Sequence, residues 1–214
     1  MIRNVICAVF LCTGAAKAEV ILSTDEIAQT LSFGPWPPVI TQDKSNKVSG
    51  NAAAIALGEA LFTDPILSRD SSFACSTCHD PEQRFTLPRS RAVGREVLDR
   101  NSPSVMNLSG LRWFGWSGKS DNLWAASMHP IIAEREMAHS PKSWQRTLAT
   151  SSYTPAFEAI FGALGQQTPE TTLVNTAKSL AAYQETLVTS QTPFDAFRDT
   201  LERQDIVTAS LYPE

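Results

Sequence analysis

A chain of 214 residues, 43% hydrophobic and 19% charged, carries enough apolar material for a sizeable core and has the composition of neither a disordered chain nor a multi-span membrane protein. Its formal charge of −4 excludes the basic footprint of a nucleic-acid binder.

Residues 1–18 read as an export signal: Arg3 in a short basic region, an apolar run over 5–11, and Ala16-Lys17-Ala18 as a small-x-small cleavage site. The run is too short to span a bilayer, so the expectation is a periplasmic protein with no membrane span after cleavage. Cleavage removes Cys7 and Cys12 and leaves Cys75 and Cys78 as the only thiols. It also removes Arg3 and Lys17 with no acidic residue, which takes the charge from −4 to −6.

Residues 19–50 form a predicted arm. Ser23 and Glu26 make a capping box ahead of Ile27 and Leu31, which predicts a short helix. Gly34-Pro35-Trp36-Pro37-Pro38 and the polar stretch 42–50 then break it into loop. Asn51 opens an Ala-rich helix running to about Phe62, ended by Asp64-Pro65.

The next segment delivers Cys75-Ser76-Thr77-Cys78-His79. Two thiols three positions apart, with histidine directly after the second, form the attachment pattern of a c-type haem. Two sulfurs at that spacing can reach the two vinyl groups of one porphyrin and leave the imidazole beneath the iron. The competing chemistries are weaker. A disulfide would close a tiny loop for little stability. A zinc site needs four ligands, and beyond His79 only His129 and His139 exist, with no second paired half-site. A thioredoxin-like pair should follow a strand, and none precedes this one. The expected cofactor is one covalently bound haem.

Residues 80–110, rich in Pro, Arg, Asn and Ser, show no period of 3.6 or 2 and predict a long loop wrapping the haem. Arg84, Arg89, Arg91, Arg95 and Arg100 are candidate partners of the propionates, with a solvated basic loop as the alternative for each. Trp113, Phe114 and Trp116 form an aromatic cluster suited to core, interface or electron conduction. Helices are then predicted over 122–128, stopped by His129-Pro130, over 141–151, over 155–164 ending at Gly165, over a stretch holding Leu173, Val174, Ala177, Leu180, Ala181, Leu187 and Val188, and over 194–203. No strand or repeat stands out. The fold class is therefore all-α, a c-type cytochrome-like haem domain with long irregular loops.

Several stretches together resemble the amino-terminal haem domain of the bacterial di-haem cytochrome c peroxidases and the related MauG proteins. They are Leu57-Gly58-Glu59-Ala60-Leu61-Phe62, Leu67-Ser68-Arg69-Asp70, the haem motif, Arg100-Asn101-Ser102-Pro103-Ser104, Trp116-Ser117-Gly118-Lys119, His129-Pro130-Ile131, Glu136-Met137, Ala182-Tyr183-Gln184-Glu185-Thr186-Leu187 and Pro193-Phe194-Asp195. The resemblance marks 51–203 as the haem domain. It implies His79 as the proximal iron ligand, Glu136 as the acid of the distal pocket, and Trp116 as an electron relay between two haems. Asn101 matches a ligand of an interdomain calcium ion. The implied partners are hydrogen peroxide and a small redox donor protein, a c-type cytochrome or cupredoxin, or else a protein substrate.

Three departures accompany it. The family's distal glutamine falls at Ala126. No histidine lies between Asp80 and Met128 to block the sixth iron position, which implies an open or water-bound site. His129, His139, Met128 and Met137 remain alternative ligands. Members of the family continue into a second haem domain with its own Cys-x-x-Cys-His, which this chain is expected to lack, with 204–214 read as a truncated tail. The functions expected are a peroxidase-type oxidoreductase, a mono-haem electron carrier, or an inactive remnant of a di-haem enzyme.

Overall fold

The computed structural model describes residues 22–203. The export signal and the 204–214 tail lie outside the described residues. The described chain belongs to two compact units, one built from residues up to 36 and from 191 onward, the other from 37–190. In the first, α1 (Thr24–Ser32) carries the expected capping box, with Glu26 N–H donating to Ser23 Oγ and Ser23 N–H to the Glu26 carboxylate. It packs against α8 (Pro193–Glu202), where Arg198 Nε donates to Phe33 O (2.8 Å) and the Phe33 and Phe194 rings meet edge to face.

The second unit is helical. Among its described residues the only β pairing is three isolated bridges, Asp80 with Thr86, Val93 with Val97, and Phe114 with Ser120. The frame is α2 (Ala52–Thr63), capped by Asn51, crossed by α7 (Pro169–Gln184), which also packs on α4 (Leu123–Ile132) and α5 (Pro141–Ala149). Leu57, Leu61, Phe62, Ile131, Trp144, Leu148, Phe157 and Leu180 fill the space between, and buried Trp144 Nε1 donates to Thr176 Oγ1 (2.8 Å). The α2–α7 crossing is close because Gly58 has no side chain: a Cβ there would stand 2.0 Å from Ser179 O. The end of the predicted arm is tied down, since buried Asn46 donates to Lys178 O (3.0 Å) and Ser49 Oγ to the Glu185 carboxylate.

Three predicted boundaries are corrected. Helix α4 does not stop at His129-Pro130 but continues to Ile132 with Pro130 inside it. Proline has no N–H for Ala126 O. The last-turn carbonyls are nevertheless satisfied, because the N–H groups of Ala133, Met137 and His139 reach back to His129 O (3.0 Å), Pro130 O (3.1 Å) and Ile131 O (2.8 Å). Helix α6 (Thr154–Phe161) ends at Gly162, whose φ of 84° takes the chain out of the helix, and Leu164 falls in a separate 3₁₀ turn instead of reaching Gly165. Helix α7 ends at Gln184, which leaves Leu187 and Val188 outside it. Leu187 O is used instead by Asn107 N–H (2.7 Å), which ties the long loop to the end of α7.

Candidate functional site

An apolar cavity of about 420 Å³ opens between α2, α4, α7 and the 94–116 loop. That volume lies in the range of cofactor pockets, about 300–1,000 Å³. Cys75, Cys78 and His79 line it together, delivered by the four-residue helix α3 (Cys75–Cys78) with His79 at its C-cap. Thr77 Oγ1 accepts from Ala74 N–H (3.0 Å) and fixes the start of this turn.

Both cysteines are free thiols. Burial pushes the Cys75 thiol up to about 12, and burial together with the Glu136 charge raises that of Cys78. His79 Nδ1 donates to Phe85 O (3.1 Å), which makes Nε2 the ring nitrogen without a proton in the neutral tautomer, and burial lowers the imidazole pKa against the opposing pull of the Phe85 and Pro103 carbonyls. A neutral imidazole anchored through Nδ1 is the form that binds a metal through Nε2. Among the described residues no three His, Cys, Asp or Glu side chains gather as a metal cluster. Two thiols, one pre-oriented imidazole and an apolar slot fit a covalent haem.

Glu136 lines the same cavity from the turn after α4. Its N–H donates to Ala133 O (2.9 Å), and the turn is pinned from outside by Arg135, which bonds Glu96 (3.0 Å), Asp99 (3.3 Å) and Val97 O (2.7 Å). Arg69 N–H adds a bond to Met137 O (2.9 Å). Gly94 lets the loop close on this turn, since a Cβ there would lie 2.6 Å from Arg135 O. Burial raises the Glu136 pKa above the ordinary carboxylate value, opposed by the Arg135 and Lys119 charges.

Trp113 and Trp116 line the cavity yet are 57% and 61% exposed, so they bridge cavity and surface. Trp116 Nε1 donates to Asn101 O (2.7 Å), and the Arg112 guanidinium lies 5.8 Å from the Trp113 ring centre. The Asn101 side chain is occupied within the loop: Nδ2 donates to Leu87 O (2.9 Å) and Oδ1 accepts from Ser102 N–H (2.8 Å).

Ala126 also lines the cavity, at the position where a glutamine was expected by resemblance. Of the four alternative iron ligands, Met137 lines the cavity, whereas Met128, His129 and His139 do not. His139 is buried elsewhere, with Nδ1 against Ser143 Oγ (2.9 Å) and its ring edge-on to Trp144. None of the five candidate propionate arginines lines the cavity; Arg95 pairs with Asp70 and Arg91 with Asp99 (3.6 Å). The sequence reading missed Gln184, a cavity-lining polar side chain on α7. Its register, four residues after Leu180 on the buried stripe, was the available signal.

Residues 52–203 match the family model described as di-haem cytochrome c peroxidase. The chain is 36% identical over 194 residues to the methylamine utilization protein MauG of Methylorubrum extorquens, covering 88% of this chain and 52% of that protein. It is 32% identical over 168 residues to the cytochrome c551 peroxidase of Pseudomonas aeruginosa, covering 77% of this chain and 47% of that one. The fold matches the crystal structure of the diheme peroxidase BthA from Burkholderia thailandensis, with a TM-score of 0.63 and 22% identity over 77% of this chain and 44% of that chain. It also matches a MauG-like protein associated with microbial copper homeostasis, with a TM-score of 0.65 and 22% identity over 80% of this chain and 49% of that chain. The chain thus spans about half the length of the curated relatives it matches. It belongs to the di-haem cytochrome c peroxidase family, whose c-type haem the cavity and the 75–79 motif fit.

Proposed function

We propose that this chain is a haem-dependent, peroxidase-type oxidoreductase domain that reacts with hydrogen peroxide. Its division follows the sequence: an export signal over 1–18 directing it to the periplasm, an arm over 19–50 and a haem domain over 51–203. Among the described residues no helix is long and apolar enough to cross a membrane. One observation carries the functional reading. Cys75, Cys78 and His79 share a single apolar cavity with Glu136 and Trp116.

Cys75 and Cys78 would hold one haem covalently and His79 Nε2 would ligate its iron. Once bound, the haem would supply a redox-active iron that can react with peroxide. Reducing hydrogen peroxide to two waters takes two electrons, from a donor, and two protons, from solvent. Glu136, with a raised pKa, suits the proton transfer: its carboxylate takes the proton from the near oxygen of peroxide and returns it to the far one. Leu123, Pro130 and Phe114 exclude bulk water and strengthen the electrostatics inside.

Trp116, part exposed and anchored to Asn101 O, is the route for electrons from a second haem or a small redox donor such as a c-type cytochrome or cupredoxin. Oxidation of a protein substrate would use the same route in the same direction, with the substrate in place of the donor as the source of electrons. Asn101 remains a proposed calcium ligand on resemblance alone, since its Oδ1 already accepts from Ser102 N–H (2.8 Å).

The test is the optical spectrum of the purified ferric protein with and without peroxide. A high-spin spectrum that converts on adding peroxide supports the reading, and a low-spin spectrum indifferent to peroxide sinks it. The mono-haem electron carrier predicts that second outcome, and Ala126 on the cavity wall favours it by removing one polar group from the pocket.

A further inference from the structure

Gln184 is 7% exposed, lines the haem cavity and sits at the last residue of α7. The direction of its amide is fixed twice over. Nε2 donates to Ser127 Oγ (2.8 Å) and to Leu180 O (3.2 Å). A backbone carbonyl only accepts, so the atom facing it must be the nitrogen. Ser127 spends its single hydroxyl proton on Leu123 O (2.8 Å), so it too must accept from the amide.

Both amide protons are therefore used inside the protein, and Oε1 is left as a pure acceptor. It has no protein partner among the described residues, and it is not sealed off in the way His139 Nε2 and Ser179 Oγ are. Of the residues that line the same cavity, Leu123, Ala126, Leu180 and Phe114 have no side-chain donor to offer it. Buried amide oxygens seldom lack a partner, and leaving one unmade costs about 1–3 kcal/mol.

We infer that Gln184 is a positioning residue of this cavity, whose Oε1 accepts a hydrogen bond from a small hydroxylic ligand, water or hydrogen peroxide, on the side where Ala126 offers none. The chemistry selects the ligand class: an O–H donor is attracted, whereas an ionised carboxylate or a halide presents lone pairs to a lone pair and is repelled. Ser127 serves as the anchor that keeps the oxygen, and not the nitrogen, turned to the cavity. This inference rests on the cavity holding haem as proposed above.

The experiment uses the haem-loaded full chain in its ferric state, with resonance Raman to read iron coordination and fluoride titration as the acceptor-only probe. The unmutated protein is expected to show water-bound, six-coordinate high-spin iron. Gln184→Met, close in shape but unable to hydrogen-bond, is expected to shift to five-coordinate iron and to bind fluoride roughly five- to tenfold tighter, the worth of one hydrogen bond. Ser127→Ala, a smaller change that removes one of the two anchors of the amide and leaves the bond to Leu180 O, is expected to move both readings in the same direction as Gln184→Met and by less. Water occupancy and fluoride affinity unchanged in both Gln184→Met and Ser127→Ala overturn the role of Gln184. Low-spin iron in the unmutated protein, binding neither water nor fluoride, overturns the peroxidase reading itself and this inference with it.

Discussion

The two walls of the cavity are built by different physics. The wall carrying Cys75, Cys78 and His79 rests on α2 and α7, where Phe62, Leu61 and Leu180 are almost fully buried and the backbones touch at Gly58. The wall carrying Glu136, Trp116 and Asn101 is loop and turn, held by single hydrogen bonds and by ion pairs whose members are mostly half exposed. Close packing resists any change of volume, while exposed ion pairs contribute little stability but fix where a side chain sits. The thiols and imidazole thus stand on the rigid part of the fold. The proton-transfer and electron-relay candidates stand on the part that a substitution can move without unfolding the chain.

The largest effect is expected from the packed wall. Gly58→Ala drives a methyl into Ser179 O, and neither backbone can move without separating α2 from α7. Overpacking of this kind costs about 3 kcal/mol. For a chain of this size that corresponds to a fall of roughly 10 °C in Tm, measurable by calorimetry. An unchanged Tm would show that the crossing is looser than the geometry indicates.

Glu136→Gln should leave the fold intact and remove most of the peroxide-dependent spectral change, by roughly 100-fold or more in rate if the carboxylate carries the proton. Stopped-flow absorbance measures it. The same substitution also probes stability. Because burial raises the folded-state pKa of Glu136, the ionised form is disfavoured in the folded protein, so stability falls as pH rises through the window between the unfolded and folded values. The substituted amide carries no charge to bury, so the variant is expected to melt higher than the parent at pH 7. The gain should vanish near pH 4, where the acid is largely neutral in both states. A variant less stable at neutral pH would mean that the carboxylate has a favourable partner in the folded state.

How much of this was legible beforehand follows the same division. The packed wall could be read: the apolar stripe of Leu57, Leu61, Leu173 and Leu180 and the haem motif are local patterns with fixed spacing. On the loop wall Trp116 stood out within an aromatic cluster, but Glu136 could be read only through resemblance, because it lies on a segment with no period and what brings it to the cavity is non-local bonding such as that of Arg135 to Glu96 and Asp99. Pro130 misled because its effect depends on carbonyl partners several residues downstream. Gln184 stayed hidden inside an otherwise ordinary helical stripe, since its meaning lies in the partners of its amide.

Trp116→Phe removes the bond to Asn101 O from a residue that is 61% exposed, so stability should change by less than about 1 kcal/mol. Electron entry from an added donor cytochrome should slow while the first reaction with peroxide is unaffected. Equal slowing of both would place Trp116 in the pocket's proton chemistry and not on the electron route.

The smallest stability effect and the most diagnostic pH effect should come from Arg135→Ala. Its ion pairs are exposed and contribute little stability, less at high salt. The guanidinium nevertheless opposes the rise in the Glu136 pKa, so its loss removes a charge that favours the carboxylate. If the peroxide reaction needs the ionised form, the rate climbs as pH rises through that pKa, and its midpoint in Arg135→Ala should move to higher pH. Arg135→Lys, which keeps the charge and loses the fork that holds Glu96, Asp99 and Val97 O, separates the two roles of this side chain. A midpoint restored by lysine assigns the effect to charge. A midpoint still displaced assigns it to the turn that places Glu136, in which case the loop wall sets the position of the acid before it sets its proton affinity.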